Sequence, residues 1–133
     1  MSPTCSTCRA ESVAFSVPES IVAYAPAESA YAAACQVCLT VDPLDEAPST
    51  EGDLNSISEA LPPDAEHAAA TLLIVGLLES LAMNRPHIEA IVDYLEGEGV
   101  DALLVLNRLA EDTSLRPALD LERRVYQLEQ LLG

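Results

Sequence analysis

The chain has no lysine and no tryptophan, one phenylalanine and four tyrosines. With so few aromatics, a core must be built from Leu, Val, Ile and Ala. Half of the 133 residues are hydrophobic. That is enough for one domain, or for a small domain with a minimal module attached. Bases are scarce. Six arginines (Arg9, Arg85, Arg108, Arg116, Arg123, Arg124) stand against 22 acids, for a formal net charge of -16. Binding to a phosphate backbone needs a basic stripe, and its absence argues against a nucleic-acid partner. So acidic a chain repels itself in dilute salt. Molar salt relieves that repulsion, because the Debye length falls to about 3 Å. Abundant acids, missing lysine and many small alanines are the pattern of a halophile that keeps salt in its cytoplasm.

Long apolar runs are also missing. The longest, Ala68 to Leu78, has 11 residues, short of the roughly 20 that span a bilayer. The opening "MSPTCSTCRAES" has neither a basic n-region nor an apolar h-region. We therefore expect a soluble cytoplasmic protein with no membrane partner. In that compartment paired cysteines are more often metal ligands or redox groups than structural disulfides.

What is present divides into three zones. Residues 1–42 hold every cysteine. Residues 43–64, "PLDEAPSTEGDLNSISEALPPD", read as an acidic linker. Within it Asp53 could cap a short helix carrying Leu54, Ile57 and Leu61 on one side. Residues 65–133 read as helices. In the first zone Val13, Phe15 and Val17 alternate as in a strand, which Pro18 ends. "PESIVAY" fits a short helix or a second strand, and Leu39 to Val41 a third. In the last zone the pattern predicts helices over about 64–83, 86–96, 102–111 and 117–132. "NRP" (Asn84 to Pro86) divides the first two, Asp101 caps the third, and Leu121, Val125, Leu128 and Leu132 stripe the fourth. The short loops imply antiparallel neighbours. The expected fold is α+β, mostly α: an N-terminal four-cysteine zinc ribbon followed by a C-terminal antiparallel helical bundle of about four helices.

The cysteines fall as Cys5-x2-Cys8 and, after 26 residues, Cys35-x2-Cys38. A Cys-x-x-Cys turn lets two thiolates converge on one side. Two such turns at the ends of a hairpin supply the tetrahedral sulfurs that Zn2+ prefers. An iron–sulfur cluster also takes four cysteines and stands second. A thioredoxin-like redox pair would need a βαβ unit, which the pattern lacks. With all four positions taken by protein, Zn2+ would be structural rather than catalytic.

The order "CSTC", "FSVPE" and "CQVCLTVDP", with an acidic, lysine-free helical tail, resembles a family of small haloarchaeal zinc-ribbon proteins of unknown function. The double knuckle is the specific part of that likeness. The resemblance implies a zinc ribbon and a haloarchaeal cytoplasm, and no mechanism.

Other residues read more simply. His67 and His87 start helices and have no Ser-His-Asp or His-Glu-x-x-His companions. "EGEG" (Glu96 to Gly99) reads as an acidic helix stop. Four arginines lie between Arg108 and Arg124. Spaced as Asp120 to Arg124 and Arg108 to Glu111 and Asp112, they read as helix-face ion pairs. The last helix could also seat a second copy of the chain. The expected function is a zinc-binding protein-interaction or adaptor module, with no catalytic residues. A transcription-associated nucleic-acid binder, and a small enzyme or redox protein using the cysteine pairs, are the alternatives.

Overall fold

A computed structural model describes residues 3–132. The chain is α+β. Strands β1 (Ser12–Ser16), β2 (Tyr31–Cys35) and β3 (Val41–Leu44) form an antiparallel sheet in that order. Helices α1 (Ala65–Leu78), α2 (Leu81–Gly97), α3 (Ala102–Ala110) and α4 (Leu121–Leu132) follow.

In the sheet, Ser12 pairs with Cys35 and Ser16 with Tyr31, while Tyr31 pairs with Leu44. Val13, Phe15 and Val17 join Ala32 and Ala34 in the main core. The segment that fitted either a helix or a strand is helical: 3-10 turns at Glu19–Tyr24 and Pro26–Glu28, with Ile21 and Ala25 buried. The third strand begins at Val41, two residues later than the pattern implied. Leu39 has a φ of 63°, which no strand residue can hold. Pro43 sits in β3, an edge strand, where its missing N–H leaves no ladder bond unmade.

Residues 43–64, expected as a linker, lie against the body of the protein. Leu44 is in β3, and Leu54, Ile57 and Leu61 enter the same apolar cluster as the helices. Asp53 caps a 3-10 turn, Leu54–Ser56, by accepting from the Asn55 N–H at 3.0 Å.

Helix α1 is the centre of the structure. Asp64 caps it, accepting from the N–H groups of Glu66 (2.9 Å) and His67 (3.3 Å). Its run from Ala68 to Val75 is buried on every side. It packs against α2, α3, α4 and β3. A Cβ on Gly76 would lie 3.0 Å from Val41 Cβ, so this glycine lets α1 cross the sheet edge closely.

Two boundaries differ from the sequence pattern. The break between α1 and α2 falls at Glu79–Ser80, not at "NRP". There the Leu77 carbonyl accepts from Ser80 N (3.2 Å) and from Asn84 Nδ2 (3.0 Å). Asn84 thus closes α1 from within α2, and Pro86 is carried inside α2. Helix α4 starts at Leu121 rather than near Pro117. Asp120 accepts from Arg123 N at 3.2 Å, and residues 115–120 are used elsewhere.

Candidate metal centre

Each Cys-x-x-Cys forms a tight turn, one before β1 and one between β2 and β3. The two are built alike. Cys5 N donates to Ala10 O (2.8 Å), and Cys35 N donates to Thr40 O (2.9 Å). In the first turn the N–H groups of Thr7 (3.3 Å) and Cys8 (3.5 Å) point at Cys5 Sγ. In the second, those of Val37 (3.3 Å) and Cys38 (3.4 Å) point at Cys35 Sγ. Both turns end on a left-handed residue, Arg9 (φ 64°) and Leu39 (φ 63°). That conformation swings the chain back into the strand and leaves both sulfurs of the turn on one side.

The sheet register then brings the turns together. The four sulfur atoms lie within 4.8 Å of one another and could hold a metal ion. Cys5 Sγ is 3.5 Å from Cys38 Sγ, and Cys8 Sγ is 3.5 Å from Cys35 Sγ. All four are free thiols. Cys5, Cys35 and Cys38 are buried and Cys8 is exposed. The sequence-derived set Cys5, Cys8, Cys35 and Cys38 therefore converges on one point.

Electrostatics separates the sulfurs. Burial pushes the Cys35 and Cys38 thiols up. Burial also raises Cys5, but the N–H groups of Cys8 and Thr7 and the neighbouring Cys38 and Cys35 thiols outweigh it and bring Cys5 down to about 6. Four thiolates this close need a cation between them.

The surroundings were not legible in the sequence. Asp42, on β3, accepts from Ser6 Oγ (2.7 Å) and Ser6 N (3.2 Å), clamping the first turn to the sheet. Thr40 Oγ1 lies 3.1 Å from Cys38 Sγ. The α3–α4 loop docks on the second turn: Arg116 N donates to Val37 O (2.7 Å) and Ala118 N to Cys38 O (3.0 Å). Only the "CQVCLT" spacing hints at Thr40. Nothing local points to Asp42, Arg116 or Ala118.

The other candidates stay apart from this centre. His67 Nε2 lies 3.3 Å from Glu98 Oε1, so the "EGEG" stop supplies a hydrogen-bond partner. Tyr94 sits nearby, its phenol raised by burial and by Glu66, Glu98 and Asp64. His87 meets Tyr24 edge-on at 6.0 Å. The ion pairs expected around Arg108 and Arg124 do not form among the described residues. Asp120 caps α4 instead, and Arg124 reaches Gln127 at 3.4 Å. Arg85–Glu89, at 2.7 Å and four residues apart, is the helix-face pair that does form.

Among the described residues, no helix is long and apolar enough to cross a membrane. An α+β chain with a four-cysteine cluster suited to a metal ion is the class that fold and site define. The chain belongs to DUF6276, a family of unknown function, whose profile matches residues 4–132. No curated protein and no solved structure matches it.

Proposed function

We propose that the four cysteines hold one structural Zn2+, and that the chain is a protein-interaction or adaptor module of a halophilic cytoplasm rather than an enzyme. The observation that carries the metal half is the convergence of four sulfurs within 4.8 Å. Sulfurs about 2.3 Å from a tetrahedral zinc lie about 3.8 Å apart. The two 3.5 Å pairs are close to that edge. An all-sulfur set suits zinc or iron and not a hard cation. Four protein ligands leave no position for water or substrate, so the ion would act by holding the two turns together.

In this reading residues 1–42 form a zinc ribbon, 65–133 an antiparallel bundle of about four helices, and 43–64 the connection between them. The adaptor half is supported by apolar side chains left on an acidic surface, notably Met83 (84% exposed) and Tyr126 (62% exposed).

Elemental analysis of protein purified in molar salt, with a thiol count, tests the metal. About one zinc per chain, with thiols unreactive until denaturation, is the expected result. No metal, or iron with visible absorbance, overturns it. Cross-linking in molar salt tests the adaptor. A partner captured by the metal-loaded chain and lost on chelation supports it. A co-purifying metabolite that the protein turns over would replace it with an enzyme.

A further inference from the structure

Ser12 is 2% exposed, and among the described residues its Oγ is the buried side-chain polar atom without a hydrogen-bond partner. Native proteins nearly always pair such a group, because leaving it unpaired is costly. Its position says what it faces. Ser12 stands opposite Cys35 across β1 and β2. Gln36 N donates to Glu11 O at 3.3 Å, so Glu11 and Gln36 form a hydrogen-bonded pair. The next pair, Ser12 and Cys35, is then a non-hydrogen-bonded one. Opposed side chains come closest there, with Cβ atoms about 4.5–5.5 Å apart and on the same face.

The other flank of β1 agrees. Thr4 bridges Glu11, Ser12 N donates to Pro3 O (2.9 Å), and Cys5 N donates to Ala10 O (2.8 Å). Alternation along that pairing puts Cys5, Ala10 and Ser12 on the face that carries Cys35. Cys5, Ala10, Cys35 and Cys38 pack as one small buried cluster. The orphan hydroxyl is therefore in the wall of the metal centre.

We propose that Ser12 is a positioning residue of that centre, its Oγ–H donating to Cys35 Sγ when the cysteines ligate as thiolates. This rests on the zinc reading above. Four thiolates around a divalent cation leave a net negative site, inside a chain whose formal charge is already -16. Within residues 1–42 the only base is Arg9. Hydrogen-bond donors to sulfur must spread that charge instead. Thr40 already stands in this relation to Cys38. In the first turn the equivalent place, two residues after the second cysteine, is held by Ala10, which has no donor. The hydroxyl at Ser12 adds one from the opposite strand. With Val37 N and Cys38 N it would bring Cys35 to three donors. The absent partner of the hydroxyl is then the charge of the ligating thiolate.

The test compares the full-length wild type with Ser12→Ala, and with Thr40→Val as a second hydroxyl deletion. Zn2+ affinity is read by competition with a chromophoric chelator. Co2+ loading reads the thiolate-to-metal charge-transfer band, and thermal unfolding is followed without metal. Ser12→Ala is expected to bind Zn2+ about 10-fold more weakly and to shift the Co2+ band to lower energy. Its metal-free form should be at least as stable as wild type, because the unpaired hydroxyl is gone. A packing role alone would weaken both forms and leave the band in place. Wild-type affinity and an unmoved band in Ser12→Ala overturn the proposal, whatever Thr40→Val does. A wild type that takes up neither Zn2+ nor Co2+ overturns the zinc reading itself, and this inference with it.

Discussion

Arg9 and Leu39 occupy the same left-handed position after the two cysteine turns, and their surroundings give them opposite responses to glycine. A side chain in that conformation costs roughly 1–2 kcal/mol. Arg9 is exposed, so Arg9→Gly removes the strain and little else. It should stabilise the protein by about 1 kcal/mol, read from the shift in denaturant midpoint. Leu39 is fully buried in the main core. Leu39→Gly loses that packing, about 2–5 kcal/mol for a large-to-small change, and regains only the backbone strain. A net loss of about 2 kcal/mol is expected. Asp112 offers a pH-dependent test. Hydrogen bonds from Ser114 Oγ, Ser58 Oγ and Ser114 N hold its carboxyl below the usual carboxylate range. A lowered folded value means its contribution is complete above the unfolded value of about 3.9. That contribution fades as pH falls through the folded value. Asp112→Asn should thus be less stable than wild type near pH 7, with the gap closing as pH falls below the unfolded value. A gap that stayed constant with pH would rule out the charge as its cause.

At the level of elements, one loop of the helical part hydrogen-bonds directly to the second cysteine turn. The α3–α4 connection spends Arg116 N and Ala118 N on the carbonyls of Val37 and Cys38. This is why α4 begins only at Leu121. Chelation of the metal should loosen the second turn and release those two amides. Hydrogen exchange is expected to show Arg116 and Ala118 losing protection first. Amides within α1, buried on all sides, should hold theirs. Equal loss in both places would mean that the metal supports the whole fold rather than this contact.

For the whole molecule, packing and charge pull in opposite directions. One apolar cluster runs from Val13 and Phe15 in the sheet, through α1, to Val125 and Leu128 in α4. Around it lies a surface of formal charge -16. Salt screens that surface while leaving the core contacts in place. The melting temperature should therefore rise steadily from about 0.1 M to 1 M salt, where the Debye length shrinks from about 10 Å to 3 Å. A flat response would show that the self-repulsion is already balanced within the fold.

By itself the sequence determined which four cysteines come together, the class of fold and the helical stripes. Those signals are local: the Cys-x-x-Cys spacing that makes a turn, the alternation of Val13, Phe15 and Val17, and the period that sets Leu121, Val125 and Leu128 on one face. Tertiary structure decided the rest. Glu19–Tyr24, whose Ile and Val suit a strand or a helix alike, became a 3-10 turn with Ile21 buried. The end of α1 depended on Asn84, a residue of the next helix, reaching back to Leu77. Residues 43–64 looked like a linker because they are rich in Pro, Ser, Asp and Glu, yet Leu54, Ile57 and Leu61 found the core. The guard around the two cysteine turns, with Asp42, Arg116 and Ala118, is assembled from separate parts of the chain. Its members meet only when the strands take their register and the last loop docks, so no short stretch of sequence encodes them.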